Sequence, residues 1–239
     1  MLYNGVLMTD TSNTVPTHLG LILDGNRRWA KQNNKTVAQG HRKGYHNLKT
    51  IAKAAITHGV RYVSAYVFSN ENWDRERQEV DDLMKLLKWV LKHEVKEMHK
   101  DNIRIRVIGS KAKLGAALLT AIHDAEKLTK DNSRGTLLLC LDYGGQQEIV
   151  DATKMIVEQG VKPEDITVDM IEKHLYAPDV PPVDLIIRTS GEQRLSNFLM
   201  WESTYSELIF SPQLWPDYSE ADLAKDLEKY KQLNRRFGK

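Results

Sequence analysis

The stretch HLGLILDGNRRWA (residues 18–30) decides the fold. An apolar run, LGLIL, passes without a linker into Asp24, Gly25, Asn26, Arg27 and Arg28, with Trp29 behind them. It reads as a buried strand giving way to a helix. Similar short runs rich in branched residues recur at 61–68, 103–109, 136–143, 183–189 and 207–210, with helical patterns between most of them. Strands alternating with helices predict an α/β fold: one domain with a mainly parallel six-stranded sheet and helices on both faces. In such sheets ligands collect at the carboxyl ends of the strands, so chemistry is sought just after each one.

The whole chain is consistent with that architecture. Its 239 residues, 41% hydrophobic and 28% charged, suffice for one sizeable core. The expected organisation is a flexible segment over 1–15 followed by one domain over 16–239. A formal net charge of +2 argues against a nucleic-acid tail or polybasic anchor. Cys140 is the single cysteine and lies in an apolar run, so no disulfide forms within the chain and a reducing compartment fits. No stretch approaches the length of a membrane span or the pattern of a signal peptide, which predicts a cytoplasmic protein.

Glycine at position 25 lets the backbone approach a ligand, and the two arginines are bidentate donors for phosphate oxygens. Asp24 would repel phosphate unless Mg²⁺ lay between them, an ion that commonly takes one or two carboxylates plus substrate phosphates. The plainer reading is a helix cap. After the second strand come Ser69, Asn70, Glu71, Asn72, Trp73, Asp74 and Arg75. After the fifth, Arg188, Arg194 and Ser196 suit a second anion. Glu207 opens the last strand with either a metal role or an ion pair, and His41 in GHRKG either donates to phosphate or starts a solvated helix. The segment 79–100 carries apolar residues around most of its circumference, as a core helix or the wall of an apolar ligand cavity would.

Taken in order, DGNRRWA (24–30), GHRKG (40–44), FSNENWDR (68–75), YGG (143–145), DLIIRTSGEQRLSNF (184–198), WESTYSEL (201–208) and RRFG (235–238) resemble the motifs of the cis-prenyltransferases. The resemblance covers nearly everything from His18 to Gly238. It implies an apolar tunnel in the fold and a Mg²⁺-dependent transferase that joins isopentenyl diphosphate to an allylic diphosphate such as farnesyl diphosphate, yielding a cis-polyprenyl diphosphate that serves as a lipid carrier precursor for cell-wall synthesis. The allylic diphosphate would sit on Asp24, Gly25, Asn26, Arg27, Arg28 and His41, with Trp29 alongside. Isopentenyl diphosphate would sit on Arg188, Arg194 and Ser196, with Glu207 near the metal. Ser69, Asn70, Glu71, Trp73 and Arg75 would contact substrate around Asn72, which lies where the family's proposed proton relay lies. A neutral amide is a poor base, so Asn72 is read as an orienting group. The terminal Arg236 and Gly238 would reach a partner's active site, implying a homodimer, and release of a greasy product implies peripheral membrane contact. Val37, Gln146 and Gln193 depart from residues common in the family, as neutral drift or as altered substrate preference. A short-chain or irregular-linkage synthase and a non-catalytic partner subunit are the alternatives; a nucleic-acid protein is disfavoured by the near-neutral charge.

Overall fold

The computed structural model describes residues 2–3, 6–7 and 15–233. The expected loose segment 1–15 therefore falls almost wholly outside the described residues, apart from a two-residue ladder between β1 (Leu2–Tyr3) and β2 (Val6–Leu7). Arg236 and Gly238 also lie outside them.

The main sheet holds β3 (His18–Ile22), β4 (Tyr62–Ser69), β5 (Ile103–Ile108), β6 (Gly135–Tyr143), β7 (Leu185–Arg188) and β8 (Glu207–Phe210), in the order β5-β6-β4-β3-β7-β8. Every neighbouring pair is parallel. Their burial on both faces explains the unbroken apolar runs. Alternation splits each strand between two cores: Leu137, Leu139 and Leu141 of β6 face one, while Leu138 and Cys140 face the other.

The larger core lies under α2 (Val37–Thr57), α3 (Arg77–His93), α4 (Val95–Lys100), α5 (Ala116–Thr129) and α8 (Glu220–Gln232). The second face is covered by α6 (Gly145–Glu158) and irregular chain around Tyr176–Val183 and Phe198–Leu199. Two short helices complete the fold, α1 (Asn26–Gln32) and α7 (Val168–Lys173).

Two expectations change. The helix read over 79–100 is broken at Glu94 into α3 and α4. Its apolar residues do not all face inward either: Val80, Leu83, Leu87, Val90 and Leu91 form one buried stripe, whereas Trp89 is 37% exposed. Between α2, the α3–α4 junction and the sheet lies an apolar hollow of about 30 Å³, lined by Tyr45, Leu48, Val90, Leu91, Val95, Met98, Ile105, Leu137 and Leu139 among others. It is a small hollow at the place where the tunnel was expected.

From β3 the sheet extends to β4, β6 and β5 on one side and to β7 and β8 on the other. The crevice beyond the end of β3 is thus the point where the winding reverses, the usual ligand site of such sheets.

Candidate active site

Asp24 sits in that crevice. The chain turns there at Gly25, whose φ of +114° suits a residue without a Cβ, and a side chain would press on the Leu214 backbone. The turn is pinned from outside: Trp215 N–H donates to Asp24 O (3.0 Å) and Thr189 Oγ1 to the same oxygen (2.7 Å). Helix α1 then starts with no side-chain cap, so Asp24 is not the cap that the plainer reading required.

The Asp24 carboxylate is instead held by guanidiniums. Arg188, 4% exposed at the end of β7, donates Nη2 to Asp24 Oδ2 at 2.9 Å, while Nη1 reaches Ser196 Oγ (2.8 Å) and Arg194 O (2.6 Å). Arg28 approaches Asp24 Oδ1 at 3.5 Å and donates to the Ser190 hydroxyl and carbonyl. Burial pushes the Asp24 carboxyl up, but the Arg188 and Ser190 hydrogen bonds and both guanidinium charges outweigh it and hold the carboxyl below its ordinary value. The two anion sites read separately from sequence are therefore contiguous, with Asp24 between Arg28 and Arg188.

The other residues divide into two groups. His41 Nε2 (3.2 Å), Arg75 Nη1 (3.0 Å) and Arg27 Nε (3.7 Å) converge on the carboxylate of Glu79, which opens α3 and whose side chain is 9% exposed. Burial lowers the His41 pKa more than Glu79 raises it, with Arg75 and Arg27 adding to the lowering, so its ring is neutral at pH 7. Beyond β4, Asn72 Oδ1 accepts the Ser69 N–H (3.3 Å), Glu71 accepts from Asn197 Nδ2 (2.9 Å), and Trp73 Nε1 donates to Asp142 Oδ1 (2.7 Å). The Asn70 amide Oδ1 is buried without a partner, as are Asn26 Oδ1 and Arg188 Nε. A Cβ on Gly44 of the GHRKG segment would collide with Asn26 Oδ1, which fixes how closely α2 packs on α1.

Some residues stand elsewhere. The Arg194 side chain is exposed and pairs with Glu192 (2.6 Å), so only its carbonyl joins the cluster. Trp29 Nε1 turns away to Asp217 (2.8 Å). Glu207 pairs in register with Leu185 at the start of β7, at the sheet end opposite Asp24, so one chain does not bring it to that carboxylate. Val37 and Gln193 are exposed, and Gln146 contributes its backbone N–H to Asn197 Oδ1 (2.8 Å).

Glu79, Ser190, Asp142 and Asn197 were not singled out by sequence. A signal existed for two of them: Glu79 follows Arg75 by four residues at a helix start, and Asp142 lies at the end of β6, where the strand-end rule directs attention.

The loop carrying Ser196 and Asn197 is strained, with left-handed backbone at Ser190, Ser196, Asn197 and Leu199. Such conformations cost of order 1 kcal/mol each and cluster at functional sites. The loop packs on α6 through Gly145 N–H to Asn197 O (2.8 Å) and a buried acid pair, Glu148 and Glu202. Glu148 is 1% exposed and accepts from Tyr143 Oη and from Tyr176 N–H at 2.9 Å. Burial and the Glu148 charge push the Glu202 carboxyl up to about 8. Its folded value exceeds its unfolded one, so stability is full below the unfolded value and falls as pH rises through the folded one. Thermal melting should show a loss between about pH 4.5 and pH 8 that Glu202→Gln reduces, the remainder belonging to buried Glu148; an unchanged slope in the variant would contradict the pair.

Comparison with known proteins agrees with this geometry. A family model described as putative undecaprenyl diphosphate synthase matches residues 22–238. Isoprenyl transferase 2 of Bradyrhizobium diazoefficiens is 41% identical over 93% of this chain and 90% of its own. The ditrans,polycis-undecaprenyl-diphosphate synthase ((2E,6E)-farnesyl-diphosphate specific) of Pasteurella multocida is 42% identical over 95% and 96%. Among solved structures, lavandulyl diphosphate synthase from Lavandula x intermedia in complex with dimethylallyl diphosphate superposes with a TM-score of 0.91, at 37% identity over 95% of this chain and 100% of that one. The chain belongs to this prenyltransferase family and is a cis-prenyltransferase.

Proposed function

We propose that the enzyme condenses isopentenyl diphosphate with an allylic diphosphate, farnesyl diphosphate as starter, and extends it to a cis-polyprenyl diphosphate. The observation that carries this reading is an ionised carboxylate between two arginines at the sheet's switch point.

Two diphosphates have a place in it. Arg28 and Ser190 would hold the allylic diphosphate, and Arg188 and Ser196 the isopentenyl one; the unpartnered buried Nε of Arg188 is a donor suited to an anion's oxygen. Among the described residues no three His, Cys, Asp or Glu side chains cluster tightly enough to hold a metal ion by themselves. The donor set fits Mg²⁺ held by Asp24 together with substrate phosphate oxygens. So held, the ion would supply Lewis-acid stabilisation of the leaving diphosphate's charge. The arginines stabilise the same charge as the allylic C–O bond lengthens. The allylic carbon is then attacked by the isopentenyl double bond, and loss of a proton to the released diphosphate sets the new cis double bond. Asn72, tied to the Ser69 N–H, orients substrate. Neutral His41 serves as a hydrogen-bond donor rather than a cation.

The lengthening chain would enter between α2 and α3, where burial is worth about 0.8 kcal/mol per CH₂. The hollow measures about 30 Å³, so that entry would need it to widen. A homodimer, with Arg236 completing the partner's site, and contact with a membrane for release belong to the same reading. No helix among the described residues is long and apolar enough to cross a membrane.

The test is incubation with farnesyl diphosphate and labelled isopentenyl diphosphate, with Mg²⁺ or with chelator, followed by sizing of the dephosphorylated lipids. Long cis products made only with Mg²⁺ support the proposal, and no incorporation overturns it. Products of one or two condensations, or a branched linkage, would instead indicate the short-chain alternative. Among the described residues Tyr45 is the only aromatic side chain bounding the hollow. Tyr45→Ala is expected to shift products by one or more five-carbon units towards longer chains, with little change in initial rate; an unchanged distribution would exclude this wall.

A further inference from the structure

The segment KLLKWVLKHEVKEMHK (85–100) sorts its charges by face. Lys85, Lys88, Lys92, Lys96 and Lys100 recur at spacings of three and four, which keeps them on one side of the two successive helices α3 and α4. That side is opposite the buried stripe Leu83, Leu87, Val90 and Leu91. The acids of the segment turn the other way: Glu94 and Glu97 are engaged by Lys49 and Lys53 of α2, at 2.8 Å and 2.5–2.7 Å. Among the described residues these lysines have no acidic partner except Lys85, which lies 3.6 Å from Asp82; Lys88 is partly buried at the edge of the face and the others are exposed.

Trp89 stands in the middle of this face, 37% exposed. It is flanked by His93, stacked at 5.4 Å, and by Arg42, whose guanidinium lies over the indole at 5.6 Å. An exposed indole amid lysines on an amphipathic helix is the composition of a membrane-surface helix, with the rings at headgroup depth and the ammonium groups among lipid phosphates.

We infer that the outer face of α3 and α4 docks on a bilayer rich in anionic lipid, with Trp89 inserted among the headgroups and Lys88, Lys92 and Lys96 paired with their phosphates. The occupant is chosen by charge complementarity and by what lies beneath, because the same helices roof the apolar hollow on their inner side. When they part from the sheet, the opening faces acyl chains rather than water. The surface is read from charge and exposure alone; its use in handing over a lipid product rests on the proposed reaction.

The test is sedimentation of the full chain with phosphatidylglycerol or phosphatidylcholine vesicles at low and high salt. Binding to phosphatidylglycerol alone, weakened by salt, is expected. The triple variant Lys88→Gln, Lys92→Gln, Lys96→Gln should lose about a hundredfold in partitioning. Quenching by bromine on the upper acyl chain should fall in Trp89→Phe. No sedimentation with phosphatidylglycerol, a triple variant that binds like the parent, or equal affinity for duplex DNA would overturn the proposal. Activity towards a water-soluble allylic starter without vesicles should be the same in parent and triple variant. An inactive parent that still binds vesicles refutes the proposed reaction and leaves the docking surface standing.

Discussion

Asp24→Ala is expected to lower turnover by roughly three orders of magnitude, the scale seen when one group that stabilises developing charge is removed from a preorganised site. Among the described residues nothing else in the cluster replaces it: the remaining side chains are guanidiniums and hydroxyls, and the acid Glu192 is engaged by Arg194 at 2.6 Å and lies 3.8 Å from Arg28. The fold should survive, because the turn is held through the Asp24 carbonyl rather than its carboxylate. Asp24→Asn separates charge from shape, and its turnover should fall nearly as far. Both are measured as isopentenyl incorporation at saturating Mg²⁺, with thermal melting as the control for folding. Turnover within tenfold of the parent in either variant would remove the carboxylate from the mechanism. The charge also carries stability: its folded pKa is depressed, so the contribution is present above the ordinary carboxylate value of 3.8 and is lost as pH falls through the folded one.

The six strands were legible because a parallel sheet covered on both faces leaves uninterrupted apolar runs, and all six lie within a few residues of where those runs were read. Strand order was not, since nothing local states that β7 returns to the free side of β3. The break at Glu94 carries no proline or glycine; the residue stays near helical angles and only the hydrogen-bond ladder is interrupted. The Glu79 hub draws its partners from α1, α2 and the turn before α3, a convergence that exists only after folding. Glu207 is different, because polarity alone placed it: a residue that opens a parallel strand lies at the end opposite residues that follow one. The resemblance supplied the residue list, and the sheet shows that the list spans both ends of one chain.

In the proposed reading Arg188 is where the two diphosphate positions meet, and its replacement should separate holding the fold from binding substrate. Arg188→Leu leaves Asp24 without its closest cation and Ser196 without its donor, at the end of a strand buried along its length. Breaking a buried pair on one side costs about 3 kcal/mol, reduced here because the Asp24 side chain is 29% exposed. This variant should melt lower and show no measurable turnover. Arg188→Lys is the sharper probe. A lysine keeps the charge, but one ammonium cannot span Asp24 Oδ2, Ser196 Oγ and the Arg194 carbonyl as the planar fork does. The strained loop at 196–199 then loses its tether, and kcat/KM for isopentenyl diphosphate should fall about a hundredfold, or ~2.7 kcal/mol. Melting should change by less than in Arg188→Leu. If KM for isopentenyl diphosphate is unchanged while only the allylic substrate's KM rises, Arg188 belongs to the other diphosphate and the assignment of the two positions must be exchanged.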